Sequence, residues 1–268
     1  MFNMEQIEPS KSSASTVISW VSFIVAVLVL STLVARNLGA RLGLSPGFSI
    51  VVVGILPAVI SILLVAAIES RLSKQSLGHS LEALGLGKLH PLQLAAAFLA
   101  TAPLWIAYVA IFQFLKVSST PAPQWPLLII KFIVSQGIAE EVVFRGFVFR
   151  RLSVGRSFTS AATISAVVFS LIHLVGLIHG FSHEVLIGVA VSVTFSFLLA
   201  YPLAYLFHHG RGVIWGPALW HVSIDSINWF PKVAEPGPAW GIYFAGILCA
   251  IGAVFVFGRL FLRNKHVR

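Results

Sequence analysis

Glu140-Glu141-Val142-Val143-Phe144-Arg145 sits inside the apolar run of residues 125–149, and the reading of this stretch decides the fold. The chain holds nine acidic residues in 268, so it places acids sparingly. A charge at the centre of a bilayer costs at least about 2.5 kcal/mol; such groups face a bundle interior, pair with one another and mark function. Three charges within six residues of a membrane segment therefore demand a bundle of helices around them.

Working outward, the rest of the chain supplies that bundle. It is 57% hydrophobic and 10% charged, with mean hydropathy +0.93; soluble domains carry roughly a quarter charged residues. A helix needs about 20 apolar residues to span the hydrocarbon. Residues 16–35, 48–68, 91–115, 125–149, 158–178, 184–207, 213–230 and 240–262 qualify. The expected fold is an all-α integral membrane protein of about eight transmembrane helices, forming one bundle with a polar intramembrane cavity. The seventh segment is short and polar, which suits a buried helix. Residues 1–15 read as a disordered tail, residues 16–268 as a single transmembrane domain, and residues 125–230 as its motif core. The loop at residues 70–90 is expected to hold a short amphipathic interfacial helix. Pro57 and Pro202 lie within spans, where neighbouring helices satisfy the freed backbone groups.

The net charge of +9 admits nucleic acid as a partner, but its distribution argues against it. Labelling tails and loops alternately by side puts twelve of the 18 Lys and Arg on one side and four on the other, with Lys131 and Arg145 inside a span. The positive-inside rule then places both termini in the cytoplasm. Arg150 and Arg151 belong to the basic side, where such residues orient the chain and touch anionic headgroups. Lys131, a few residues into its span, is expected to snorkel outward. The single cysteine, Cys249, excludes an intramolecular disulfide and any paired-cysteine zinc motif.

Polar residues of the second half converge in depth. Glu140 lies ten residues before Arg150, about 15 Å deep on an α-helix, and His221 lies ten residues beyond Arg211. His173 and Asp225 fall in the same hydrocarbon layer. Glu141 and Arg145 are four apart with the acid first, the favourable helical pairing. Glu140 points about 100° away on an α-helix and lacks a local partner, which leaves it as the candidate general base. His221 and Asp225 share a face, and Phe169 covers the turn beneath His173.

Three motifs, Glu140-Glu141-x-x-x-Arg145, Phe169-x-x-x-His173 and His221-x-x-x-Asp225, resemble in order those of the CPBP family, the CAAX-prenyl-protease and bacteriocin-processing intramembrane proteases. The resemblance covers residues 125–230. It implies an intramembrane endopeptidase acting on a membrane-associated, CAAX-type substrate, with membrane lipids and that peptide as partners and no nucleic acid. It implies that Glu140 and His173 activate water, that His221 stabilises the oxyanion, and that Glu141 and Arg145 position Glu140, with Phe169 in support. Its bacterial Abi members suggest the plasma membrane of a prokaryote, and the peptide is expected to enter from the cytoplasm or inner leaflet.

Position 225 departs from the family pattern, which has Asn there. An amide donates to an oxyanion and an ionised carboxylate does not, so Asp225 acts protonated, orients His221 or ligates a metal, and Asn228 is the alternative amide. Glu140, His173, His221 and Asp225 also make a donor set suited to zinc. Direct water activation without a cofactor is favoured, because only His221–Asp225 has metal-motif spacing on one helix. A His-Glu-x-x-His zinc site is absent, since His183-Glu184 leads into Val-Leu-Ile-Gly, and an aspartyl dyad fails with one aspartate in the chain. Two other classes stay open: a non-enzymatic immunity factor or scaffold, and a proton-coupled transporter in which buried Glu and His form a relay.

Overall fold

The computed structural model describes residues 14–115, 124–225 and 236–262. Among them the regular structure is entirely helical. The helices are α1 (Ala14–Arg41), α2 (Pro46–Ser73), the short α3 (Leu77–Leu81), α4 (Pro91–Ala100), α5 (Ala102–Phe114), α6 (residues 125–153), α7 (Phe158–Leu171), α8 (His183–His209), α9 (Trp215–Asp225) and α10 (Pro236–Leu262). A π turn (Glu82–Leu86) follows α3, and a 3-10 segment (Ile172–His179) extends α7.

Local chemistry sets several starts. Ser45, Ser157 and Ser182 accept from the backbone N–H three residues on and so cap α2, α7 and α8. Pro46 and Pro91 occupy first helical turns, where a missing N–H costs nothing. The α7 extension ends at Gly180, whose φ of 118° suits glycine.

Five helical segments among the described residues are long and apolar enough to cross a membrane: Pro46–Ser73, Leu77–Phe114, Phe158–Ile178, His183–His209 and Gly241–Leu262. This is a multi-pass membrane bundle, although fewer than eight segments meet that measure. α6 carries Lys131, Glu140, Glu141, Arg145, Arg150 and Arg151, too many charges for a lipid-facing helix. α9 is 11 residues long. The second half of α6 and most of α9 lie inside: every residue of Val142–Phe149 is buried, and so are Trp220, His221 and Ile224.

The bundle has two apolar cores with α8 between them. One core takes Val65, Phe147, Phe149 and Phe169 from α2, α6 and α7. The other takes Ala97, Leu104, Trp220 and Ala250 from α4, α5, α9 and α10. Ala200, Ala204 and Phe207 of α8 face the first, and Leu199, Leu203 and Leu206 the second. Both sets follow the 4-then-3 spacing of a helix face, the two faces being about 100° apart.

α6 is π-helical over Ile133–Glu140 and Val142–Phe149. A π turn is wider and advances less per residue, so Glu140 sits less than 15 Å from Arg150 and the α-helical angle between Glu140 and Glu141 does not apply. Arg150 and Arg151 are not headgroup ligands. Arg151 Nε and Nη2 donate to Glu69 Oε2 at 2.9 and 2.7 Å, and Arg150 Nη1 donates to Glu69 Oε1 at 3.2 Å. The 70–90 loop is likewise drawn inward. Gly146 packs on the Leu84 carbonyl, leaving no room for a Cβ, and Ile214 N donates to Gly85 O at 3.0 Å. The short helix expected in this stretch is α3, with Leu77 exposed, while the π turn after it packs inward against α6 and Ile214, where its backbone polar groups find partners away from water.

Candidate active site

Three devices set α9. Gln93 of α4 is fully buried; its Nε2 donates to Leu206 O and Val213 O at 3.0 and 2.8 Å, and its Oε1 accepts from Gly216 N at 3.2 Å. Trp215 Nε1 donates to Gly87 O at 2.8 Å. At the far end the Tyr243 hydroxyl of α10 donates to Ile224 O. α9 is thereby held against α6 at Gly137, where an added Cβ would lie 2.6 Å from Val222 Cγ2.

This close approach joins the polar residues of two helices. His221 Nδ1 lies 2.7 Å from Glu141 Oε1, and Arg145 Nη1 donates to that same oxygen at 3.2 Å. An ionised carboxylate only accepts, so His221 Nδ1 carries the hydrogen and Nε2 becomes the outward corner of the ring. Nε2 lies 3.9 Å from Glu140 Oε2 and 3.6 Å from Asp225 Oδ2. Glu140 was expected to lack a local partner on its own helix; the basic group that approaches it is His221, on α9.

The two glutamates differ in surroundings. The Glu141 side chain is 0% exposed and that of Glu140 is 29% exposed. Glu140 lines a cavity of ≈ 1000 Å³ between α1, α2, α6 and the α7 extension, with Val53, Val143 and Ile172 among its apolar walls. Lys131 lines it too, its stem laid across Gly54. The cavity runs from Glu140 toward Gly43 and Leu44, away from the Arg150–Arg151 end. That end is the one the charge count predicts to be cytoplasmic.

Phe169 is the hub of the polar layer. Its ring centroid lies 5.3 Å from that of His173, 6.0 Å from that of His221 and 4.5 Å from Arg145 Cζ. The guanidinium thus has a carboxylate on one side and a π face on the other. His173 reaches the cluster through this ring rather than by bonding Glu140. Its Nδ1 lies 3.1 Å from Phe169 O and its Nε2 lies 3.0 Å from Ser196 Oγ. A carbonyl only accepts, so Nδ1 donates and Nε2 accepts from the Ser196 hydroxyl. Ser196 escaped the sequence reading; its signal is the helical spacing that puts it on one face of α8 with Ala200 and Ala204.

Asn228 lies outside the described residues, so its part in the site has no structural account. Among the described residues no three of His, Cys, Asp and Glu converge as a metal site. Of the four donors named for zinc, Glu140 and Asp225 lie 3.9 and 3.6 Å from His221 Nε2, while His173 Nε2 lies 3.0 Å from Ser196 Oγ.

Residues 122–227 match the family model of the Type II CAAX prenyl endopeptidase Rce1-like proteins. This bears out the resemblance carried by the three motifs, over a segment that runs from before α6 to just past Asp225. At family level the match supports a CAAX-type intramembrane protease. No curated protein matches the chain. The Rce1-like segment contains Glu140, Glu141, Arg145, Phe169, His173, Ser196, His221 and Asp225, while Gln93, Tyr243 and the Glu69 side of the clamp lie outside it.

Proposed function

We propose that the protein is an endopeptidase that hydrolyses a peptide bond of a membrane-associated, CAAX-type substrate within the bilayer, using Glu140 as general base. The observation that carries this reading is the unequal pair of carboxylates. Glu141 is closed off by Arg145 and His221, whereas Glu140 opens onto a cavity large enough for a short peptide. Two acids with different surroundings are suited to different roles. Glu140 takes a proton from water as the oxygen attacks the scissile carbonyl, then returns it to the departing amide nitrogen. In this reading His221 acts as the imidazolium, with Nδ1 donating to Glu141 and Nε2 donating to the oxyanion that forms. Glu141 and Arg145 position His221 rather than touching substrate. His173, held by Ser196, packs on the Phe169 ring that also meets His221. The mechanism uses no metal.

The supporting experiment is cleavage of a prenylated CAAX peptide by the purified full chain in liposomes. Glu140→Gln should lose turnover by at least about 100-fold, the lower range for general-base catalysis, while melting like the wild type. Full turnover by folded Glu140→Gln would remove Glu140 as the base.

A further inference from the structure

The cavity at Glu140 carries one other charged group among the described residues that line it, Lys131. A membrane protein places a lysine at such depth at a cost, and does so where it faces a partner or a pathway. The Lys131 stem lies across Gly54, where an added Cβ would sit 2.7 Å from Lys131 Cγ. Its Nζ sits 4.8 Å from the Phe132 ring centroid; its charge acts on Asp225, but among the described residues no carboxylate lies within 4 Å of it. A cation held inside an apolar cavity calls for an anionic group on the occupant.

Separation along α6 says which group. Lys131 and Glu140 are nine residues apart, at most about 13 Å along a helix axis, and less where α6 is π-helical. An extended peptide advances about 3.3 Å per residue. An anion on Lys131 therefore lies about three or four residues beyond a bond undergoing attack at Glu140. We propose that Lys131 binds the free C-terminal carboxylate of the peptide and so sets how far from the C-terminus the chain is cut. Gly54 makes this fit by giving the lysine stem room along the wall. The inference rests on the peptidase reading above and adds a specificity-determining residue to it.

The test compares two prenylated CAAX peptides, one with a free C-terminal carboxylate and one with a C-terminal amide, in liposomes with and without phosphatidylglycerol. Wild-type kcat/KM should favour the carboxylate peptide by about 10- to 100-fold, the range of one charge-assisted hydrogen bond. Lys131→Gln should abolish the preference, lowering kcat/KM for the carboxylate peptide to that for the amide peptide. Lys131→Arg should keep most of the preference, and Gly54→Ala, which displaces the stem, should reduce it. Equal cleavage of both peptides by the wild type overturns the proposal while the peptidase reading stands. An equal loss on both peptides in Lys131→Gln also overturns it, and if that loss follows phosphatidylglycerol content, Lys131 serves a lipid headgroup. Failure of the wild type to cleave either peptide removes the peptidase reading itself, and this inference with it.

Discussion

Glu141 Oε1 is shared between His221 Nδ1 at 2.7 Å and Arg145 Nη1 at 3.2 Å, so one buried oxygen fixes both a ring and a guanidinium. Removing one member of a buried ion pair strands the other and typically costs about 3–5 kcal/mol. Glu141→Ala and Arg145→Ala should each lower thermal stability and activity together. The double variant should fall short of the summed losses by about 0.5–3 kcal/mol, since the two share one interaction. A strictly additive thermal-unfolding cycle would contradict the pairing. Asp225 poses the opposite case, because it lies 3.6 Å from His221 Nε2 with 24% of its side chain exposed. If it donates to the oxyanion it must be protonated, and an amide serves as well. Asp225→Asn should therefore keep turnover within a few-fold of wild type. A dead Asp225→Asn protein whose wild-type parent carries zinc by elemental analysis, lost in the variant, would speak for metal ligation instead.

At the scale of elements, the site exists because α6 and α9 approach at a glycine. Gly137 faces Val222 with no room for a methyl group, and the same crossing brings Glu140 and Glu141 to His221. Overpacking of this kind costs about 1–3 kcal/mol and pushes backbones apart. Gly137→Ala should cut activity more than tenfold, because a shift of about 1 Å at the reacting groups is worth up to 100-fold. Adding Val222→Ala should restore much of both stability and rate. A Gly137→Ala protein with normal kinetics, or no rescue by the second change, would show that the crossing does not set the geometry. The π-helical course of α6 belongs to this scale as well. It places the two glutamates in unlike surroundings, one within the buried cluster and one on the cavity.

Across the whole molecule, the buried Glu69–Arg150–Arg151 clamp ties α2 to the end of α6, on the far side of the site from the cavity. Taking Arg150 and Arg151 out of the basic side still leaves it the richer in Lys and Arg. Both termini are therefore predicted to be cytoplasmic, which puts Gly43 and the cavity end beside it on the outer face. Reporter fusions at each terminus and an insertion at Gly43 read this directly. A cytoplasmic signal from Gly43 would reverse the orientation and turn the cavity toward the cytoplasm.

Composition and a few charges determined much by themselves. Apolar runs of membrane length dictate an all-helical bundle, because lipid leaves no other partner for backbone polar groups. Charged residues set inside such a run must turn inward and meet, and that made Glu140, Glu141, Arg145, His221 and Asp225 legible as one cluster. Only the tertiary structure decided who meets whom. It gave Glu140 to His221, His173 to Ser196, Arg150 and Arg151 to Glu69, and Lys131 to the cavity wall. These pairings depend on helix rotation and crossing, which follow from close contacts at Gly54, Gly137 and Gly146 and from the π-helical turns of α6. Spacing along one helix assumes α geometry and says nothing of the neighbour across the gap, so partners on another helix stayed hidden until the bundle was assembled.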